Sequence, residues 1–356
     1  MMRPAILLCA VIIGAACFAC VPGQQSSTSP NDGAMGGRLV TPCSADPSTF
    51  LGKLYMLSNY DPDPNHSGKS LPPLGTPVAY GSSYCTSLTN AYNNASQSFQ
   101  QALDSLTAAF IDTDSCASWD VCSWGFIDNQ SHGKTGNTYI ALPSSLWNNA
   151  DVPIYSQLID NIVVPDLLIA SPSKPTPPVQ SPISIVANPD TENLTLIAIL
   201  AHEMGHMKWE KYDVAKINRT SNSCLDPVTQ EYTLFKDIGW AYYNNSPKWQ
   251  YFGKEDNANV TIDGADKDQL AYDLGNNNNE SYDLKTIYDG NWASIFSTVS
   301  PNEDYVETYT LIQLVAAGTS LQVTLIPNNQ TVNLMNYFNG ATVLNHKVQW
   351  IGQCAN

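Results

Sequence analysis

Between Leu194 and Met207 the chain is apolar round almost the whole circumference of a helix, and Glu203 is its one charged residue. A helix of that kind belongs inside a domain core rather than on its surface. Asp190, after Pro189, is placed as its N-cap, with Glu192 in the first turn, and Lys208, Glu210 and Lys211 mark its exit. Polar groups in such a helix are costly unless something pairs with them. The ionisable groups here are His202, Glu203 and His206, spaced His-Glu-x-x-His. Positions i and i+4 share one helix face, so both imidazoles can reach a single ion. Glu203 is rotated by about 100° from His202. It therefore stands beside the ion, where a carboxylate can take a proton from water. The competing reading is a core helix with two structural histidines, but that leaves both rings to be partnered by other means.

A catalytic zinc ion takes three protein ligands and keeps one position open. The longer metzincin pattern is absent, because Trp209 and Tyr212 stand where it needs Gly and His. The aspzincin pattern is absent too, because Lys267 stands where its Asp belongs. Further on, Ser300-Pro-Asn-Glu-Asp-Tyr-Val-Glu reads as a helix start that puts Glu303 and Glu307 on one face. Glu303 is the leading third ligand and Glu307 the alternative. The carboxylate that does not bind the ion can accept a hydrogen bond from a ligand histidine and fix its tautomer. An acidic first turn that merely favours the helix dipole is the competing reading of both.

These two segments, about residues 190–211 and 299–316, resemble the gluzincin clan of zinc metallopeptidases. The Asn302-Glu303 pair with an acidic residue four later is similar to the third-ligand segment of thermolysin. Glu-Asp-Tyr-Val-Glu is closer to the corresponding segment of bacterial zinc-binding metallopeptidases and of the anthrax lethal factor catalytic domain. The resemblance implies His202, His206 and Glu303 as ligands of one Zn2+ per chain, Glu203 as the base, and Glu307 holding a ligand histidine. It implies peptide-bond hydrolysis of a peptide or protein substrate. The chain departs from the pattern in two ways. The gap from His206 to Glu303 is long and points to an insertion, placed at the Asn-rich stretch 255–281. The lethal factor group also carries a Tyr upstream of its ligand Glu, and Phe296 stands at the nearest such point here. The group that stabilises the transition-state oxygen is thus left open among Tyr305, Tyr309 and His346.

Composition bounds the partners. With 32 Asp and Glu against 16 Lys and Arg, the formal net charge is −16, which argues against a nucleic-acid partner. Arg3 and the apolar stretch from Ala5 to about Cys20 read as a signal peptide over residues 1–20. Cys17 or Cys20 could be lipidated and tether the protein to a membrane. Residues 21–45 read as a flexible linker rich in Gly, Ser, Pro and Gln. Export, secreted or as a cell-surface or periplasmic lipoprotein, is the expected destination. Six cysteines follow, Cys43, Cys85, Cys116, Cys122, Cys224 and Cys354. They allow fifteen pairings, of which Cys116–Cys122 and Cys224–Cys354 are the expected ones. Asn94, Asn193, Asn218 and Asn329 open Asn-x-Ser/Thr triplets.

The remaining periodicity predicts one amphipathic helix over Leu88–Ile111 and short strands at Val121–Ile127 and Thr138–Leu142. The second strand ends at Pro143 and is expected at a sheet edge, where it could pair with an extended peptide. Ser171–Pro182 holds five prolines and reads as loop. The expected fold is α+β and zincin-like, spanning residues 46–356. A mixed sheet from an N-terminal lobe (about 46–211) would pack on the His-Glu-x-x-His helix. A mainly helical C-terminal lobe (about 212–356) would carry Glu303. Zinc-dependent endopeptidase is the expected function. The alternatives are a non-catalytic, zinc-containing binding lipoprotein and an exported hydrolase of a non-peptide amide.

Overall fold

The computed structural model describes residues 40–58, 75–113, 124–128, 137–147, 151–160, 181–217, 225–230, 234–242, 249–251, 285, 287–298, 301–326 and 329–355. The signal peptide with Cys17 and Cys20, most of the linker, the stretch 255–281 and most of the proline-rich loop lie outside the described residues. So do His66, His132, Cys116, Cys122, Cys224 and Asn218.

Strand β1 is Leu54–Leu57 and β2 is Thr76–Pro77. Two helices follow, α1 (Ser83–Asn94) and α2 (Gln97–Asp104), then β3 (Ala108–Asp112). The single helix expected over Leu88–Ile111 is therefore three elements. The break comes at Ala95, which is extended, and at Ser96, whose hydroxyl accepts from the Phe99 N–H and starts a new helix. The last apolar residues of that stretch obey period 2. Ala109 and Ile111 join the main core, while Ala108 and Phe110 pack on the opposite sheet face with Leu57 and Tyr139.

Strands β4 (Trp124–Asp128) and β5 (Asn137–Pro143) complete a mixed sheet of order β2-β1-β3-β5-β4. Strands β1, β3 and β5 are parallel, whereas β4 runs antiparallel to β5. The segment expected at the edge, Thr138–Leu142, is thus an inner strand, and β4 takes the edge. Pro143 does not prevent this, because it stands at the last position of the strand, where a missing N–H costs least.

Helix α3 (Tyr155–Leu158) and strand β6 (Ile183–Asn188) lead into the long α4, Glu192–Ile217. Its first turn is capped by Thr191, whose hydroxyl and carbonyl both accept from the Leu194 N–H. Asp190, expected in that role, instead accepts from the Ser156 N–H at 3.2 Å and holds α3 against the start of α4. From Leu194 to Met207 the helix is buried on nearly every side, as its composition requires. It packs against α1, α3, β4 and β5.

Strands β7 (Trp240–Tyr242) and β8 (Trp249–Tyr251) form an antiparallel pair. Helix α5 (Pro301–Ala316) follows, then β9 (Ser320–Leu325), β10 (Gln330–Asn333), α6 (Leu334–Phe338) and α7 (Val343–Cys354). The second half is therefore not purely helical. Strand β9 sits between β10 and β6 in a three-stranded antiparallel sheet, which ties the region before α4 to the region after α5. The architecture is α+β, with helices packed on a mixed sheet. Among the described residues, no helix is long and apolar enough to cross a membrane.

Cys43 is bonded to Cys85, which fastens the first described residues to α1. Cys354 is disulfide-bonded as well.

Candidate metal centre

Helices α4 and α5 pack closely, and Gly205 permits it. A Cβ at position 205 would lie 3.1 Å from the Val306 Cα and 3.3 Å from its Cγ1. The close approach sets one face of α4, bearing His202 and His206, against the first two turns of α5, bearing Glu303 and Glu307.

The two imidazoles turn their Nε2 atoms toward each other at 3.1 Å, and the Glu303 Oε1 lies 3.8 Å from the His206 Nε2. One ligand atom from each of these residues falls within 4.8 Å of the others. Ligands about 2.0–2.1 Å from a tetrahedral ion stand roughly 3.3 Å apart, so this spacing suits a common ion. The group His202–His206–Glu303 could hold a metal ion. His202 and Glu303 are 9% and 3% exposed, and a donor set this dry is costly unless its charges are matched.

His202 is oriented from behind. The His202 Nδ1–H donates to the Glu307 Oε1 at 2.8 Å, which leaves Nε2 facing the cluster. The other Glu307 oxygen accepts from the Ser294 hydroxyl at 2.6 Å. The Asn302 side chain stands beside the His206 ring. Burial works to lower the His202 pKa, but the Glu307 hydrogen bond and charge, with Glu303 and Glu203 beyond, push it up to about 9. Burial holds His206 well below the usual range, helped by the charge on His202. Glu203, one residue beyond His202, is 1% exposed and close enough to contribute to that field.

The other residues singled out in the sequence lie in different surroundings. Tyr305 is fully buried in an aromatic cluster, with ring centroids 5.2 Å from Phe235 and 5.5 Å from Trp209. Tyr309 stacks parallel to Tyr305 at 6.5 Å and meets Phe99 edge-on, and burial pushes its hydroxyl pKa up. His346, on α7, points its Nε2 at both oxygens of Asp226, 2.7 and 2.8 Å away. Asp226 is buried and also accepts from the Val228 and Thr229 N–H groups, so it closes a turn with His346 as a brace. The structure thus gathers His202, Glu203, His206, Glu303 and Glu307, and gives Tyr305, Tyr309 and His346 other partners.

Beside His202 lies an apolar cavity of ≈ 110 Å³. Leu158, Ile183, Ile185, Ile199 and Val323 form much of its wall, and His202 and Glu307 form its polar end. Sequence reasoning missed this space, along with Ser294. Both depend on how β6, β9 and the segment before α5 meet, which no local pattern records. No protein-family model, curated protein or solved structure matches the chain.

Proposed function

We propose that the chain is a zinc-dependent endopeptidase of zincin-like fold, related in its site to the gluzincin metallopeptidases. The observation that carries this reading is the buried His202–His206–Glu303 donor set with Glu203 beside it and Glu307 behind His202. Two nitrogens and one carboxylate oxygen suit zinc better than calcium or magnesium, which prefer oxygen donors. A zinc ion there would supply Lewis acidity toward a carbonyl oxygen and lower the pKa of water.

The chain's own groups do the rest. Glu203 takes a proton from the attacking water as its oxygen bonds to the peptide carbonyl carbon. It then returns the proton to the amide nitrogen as the C–N bond breaks. Glu307, held by Ser294, keeps the His202 ring in one tautomer and one orientation. Strand β4 packs on α4, and among the described residues its outer edge pairs with no strand, so it can hydrogen-bond an extended peptide there. The cavity beside His202, at ≈ 110 Å³ somewhat smaller than the roughly 150 Å³ apolar space that takes up benzene, suits one aliphatic side chain. Cys43–Cys85 and the bonded Cys354 support an exported protein, since disulfides persist in oxidising compartments. Lipidation at Cys17 or Cys20 rests on the sequence alone.

Glu203→Gln tests the reading against its rivals. Removing the base should lower peptide turnover by roughly 10²–10⁴-fold while zinc stays bound. Unchanged turnover would remove Glu203 from the mechanism. Zinc binding with no peptide turnover in the wild type would favour the non-catalytic binding lipoprotein or the non-peptide amide hydrolase.

A further inference from the structure

Lys347, on α7, is fully buried, and so is Asp304, the residue after Glu303 on α5. The Lys347 Nζ lies 2.6 Å from the Asp304 Oδ2. It also donates to the Asn291 carbonyl at 2.8 Å and sits 4.2 Å above the Trp292 ring. An ion pair in a dry core contributes little net stability, because desolvation consumes most of the attraction and apolar residues of equal volume serve as well. Its position points to a different role.

The ammonium grips two segments that build the candidate site. One is the first turn of α5, where Glu303 is the proposed third ligand, 3.8 Å from the His206 Nε2. The other is the run that begins at Asn291 and reaches Ser294, whose hydroxyl fixes the Glu307 that orients His202. A second bond, from the Leu344 N–H to the Gly290 carbonyl at 2.9 Å, ties α7 to that same run. Through one side chain, α7 thus touches both the turn that carries Glu303 and the segment that leads to Ser294.

We propose that Lys347 and Asp304 are a positioning pair for the metal centre: their buried contact fixes where Glu303 and the Ser294–Glu307 bracket stand relative to His202 and His206. This rests on the metal-site reading above. The pair touches no substrate and acts only through the ligands.

The test uses the full chain as wild type, Glu303→Ala, and the double variant Asp304→Asn/Lys347→Met, which removes both charges at nearly constant volume. Zinc affinity is measured by chelator competition, ligand geometry by the visible spectrum of the cobalt-substituted protein, and folding by thermal unfolding in the presence of chelator. The expected result is a double variant that unfolds cooperatively like the metal-free wild type. It should bind zinc about 10- to 100-fold more weakly and show altered cobalt band positions and intensities. A folded double variant with wild-type zinc affinity and an unchanged cobalt spectrum overturns the proposal and leaves the metal site intact. If the wild type and Glu303→Ala both fail to bind zinc, the metal-site reading falls and takes the proposal with it. Should the double variant not fold, Lys347→Gln, which keeps a neutral donor toward Asp304, decides on the same two readouts.

Discussion

His202 and His206 are one turn apart on α4, and α5 faces both. His202 leans on Glu307, which Ser294 holds in turn, while His206 faces Glu303 at 3.8 Å. Replacing Glu307 by Ala should weaken zinc binding about 10- to 100-fold, because the His202 ring loses the acceptor that fixes its tautomer. Titration of the apo-protein with zinc against a competing chelator checks this, and an unchanged affinity would show that Glu307 does not serve the ligand. The two histidines and Glu203 were legible in the sequence because helical spacing alone puts them on neighbouring faces. Glu303 and Glu307 were legible as a pair on one face of α5, with Glu303 as the leading ligand, and the approach of α5 to α4 groups Glu303 with the two imidazoles and sets Glu307 behind His202. Ser294 carried no signal at all, since its partner lies on a helix that starts several residues later.

Among the elements, the crossing of α4 and α5 decides whether the donor set exists. Gly205→Val would drive a branched side chain into the Val306 backbone, which lies 3.1 Å from the position of a Cβ. Overpacking of this kind costs about 1–3 kcal/mol, to be read by urea unfolding of the metal-free protein, and zinc affinity should fall with it. A variant as stable as wild type would mean that the helices separate without cost. Helix α7 offers a pH-dependent check on its own anchoring. Burial alone would raise the Asp226 carboxyl, but the His346 ring and the Val228 and Thr229 N–H groups hold it below the usual carboxylate range. A carboxylate with a depressed folded pKa stabilises the fold fully above the unfolded value of about 4, and that contribution disappears as pH falls through the folded pKa. Asp226→Asn should therefore cost about 1–3 kcal/mol at pH 7, with the deficit shrinking below about pH 4. Equal deficits at pH 7 and pH 3 would contradict the assignment. Element boundaries were less legible than element types. Ser96 reads as an ordinary polar position until its hydroxyl is seen capping α2, and Ala108–Phe110 suits a helix or a strand until both sheet faces are known to be covered.

Across the whole molecule, the class α+β was legible because a long apolar helix and short β-branched or aromatic runs alternate along the chain. The sheet order was not. Thr138–Leu142 looks like an edge strand because Pro143 ends it, yet β4, although earlier in the chain, takes the outer position by running antiparallel. The pairing of β6 with β9 could not be read either, since those strands are joined only through the full length between them. The same long-range pairing brings Ile183, Ile185 and Val323 to the cavity beside His202. Cys43–Cys85 is the pair left over by the two pairings expected from the sequence, and the packing of α1 against the first described residues brings it together. What these scales share is the proposed metal centre: its candidate donors come from two helices that meet only in the finished fold, so metal binding and folding should be coupled. The most direct measurement is the zinc content of the purified full-length protein, wild type beside Glu303→Ala, by elemental analysis after reconstitution. The account requires about one zinc per wild-type chain and loss of it in the variant. A wild type that holds no zinc would contradict the metal centre, and a variant that keeps it would remove Glu303 from the donor set.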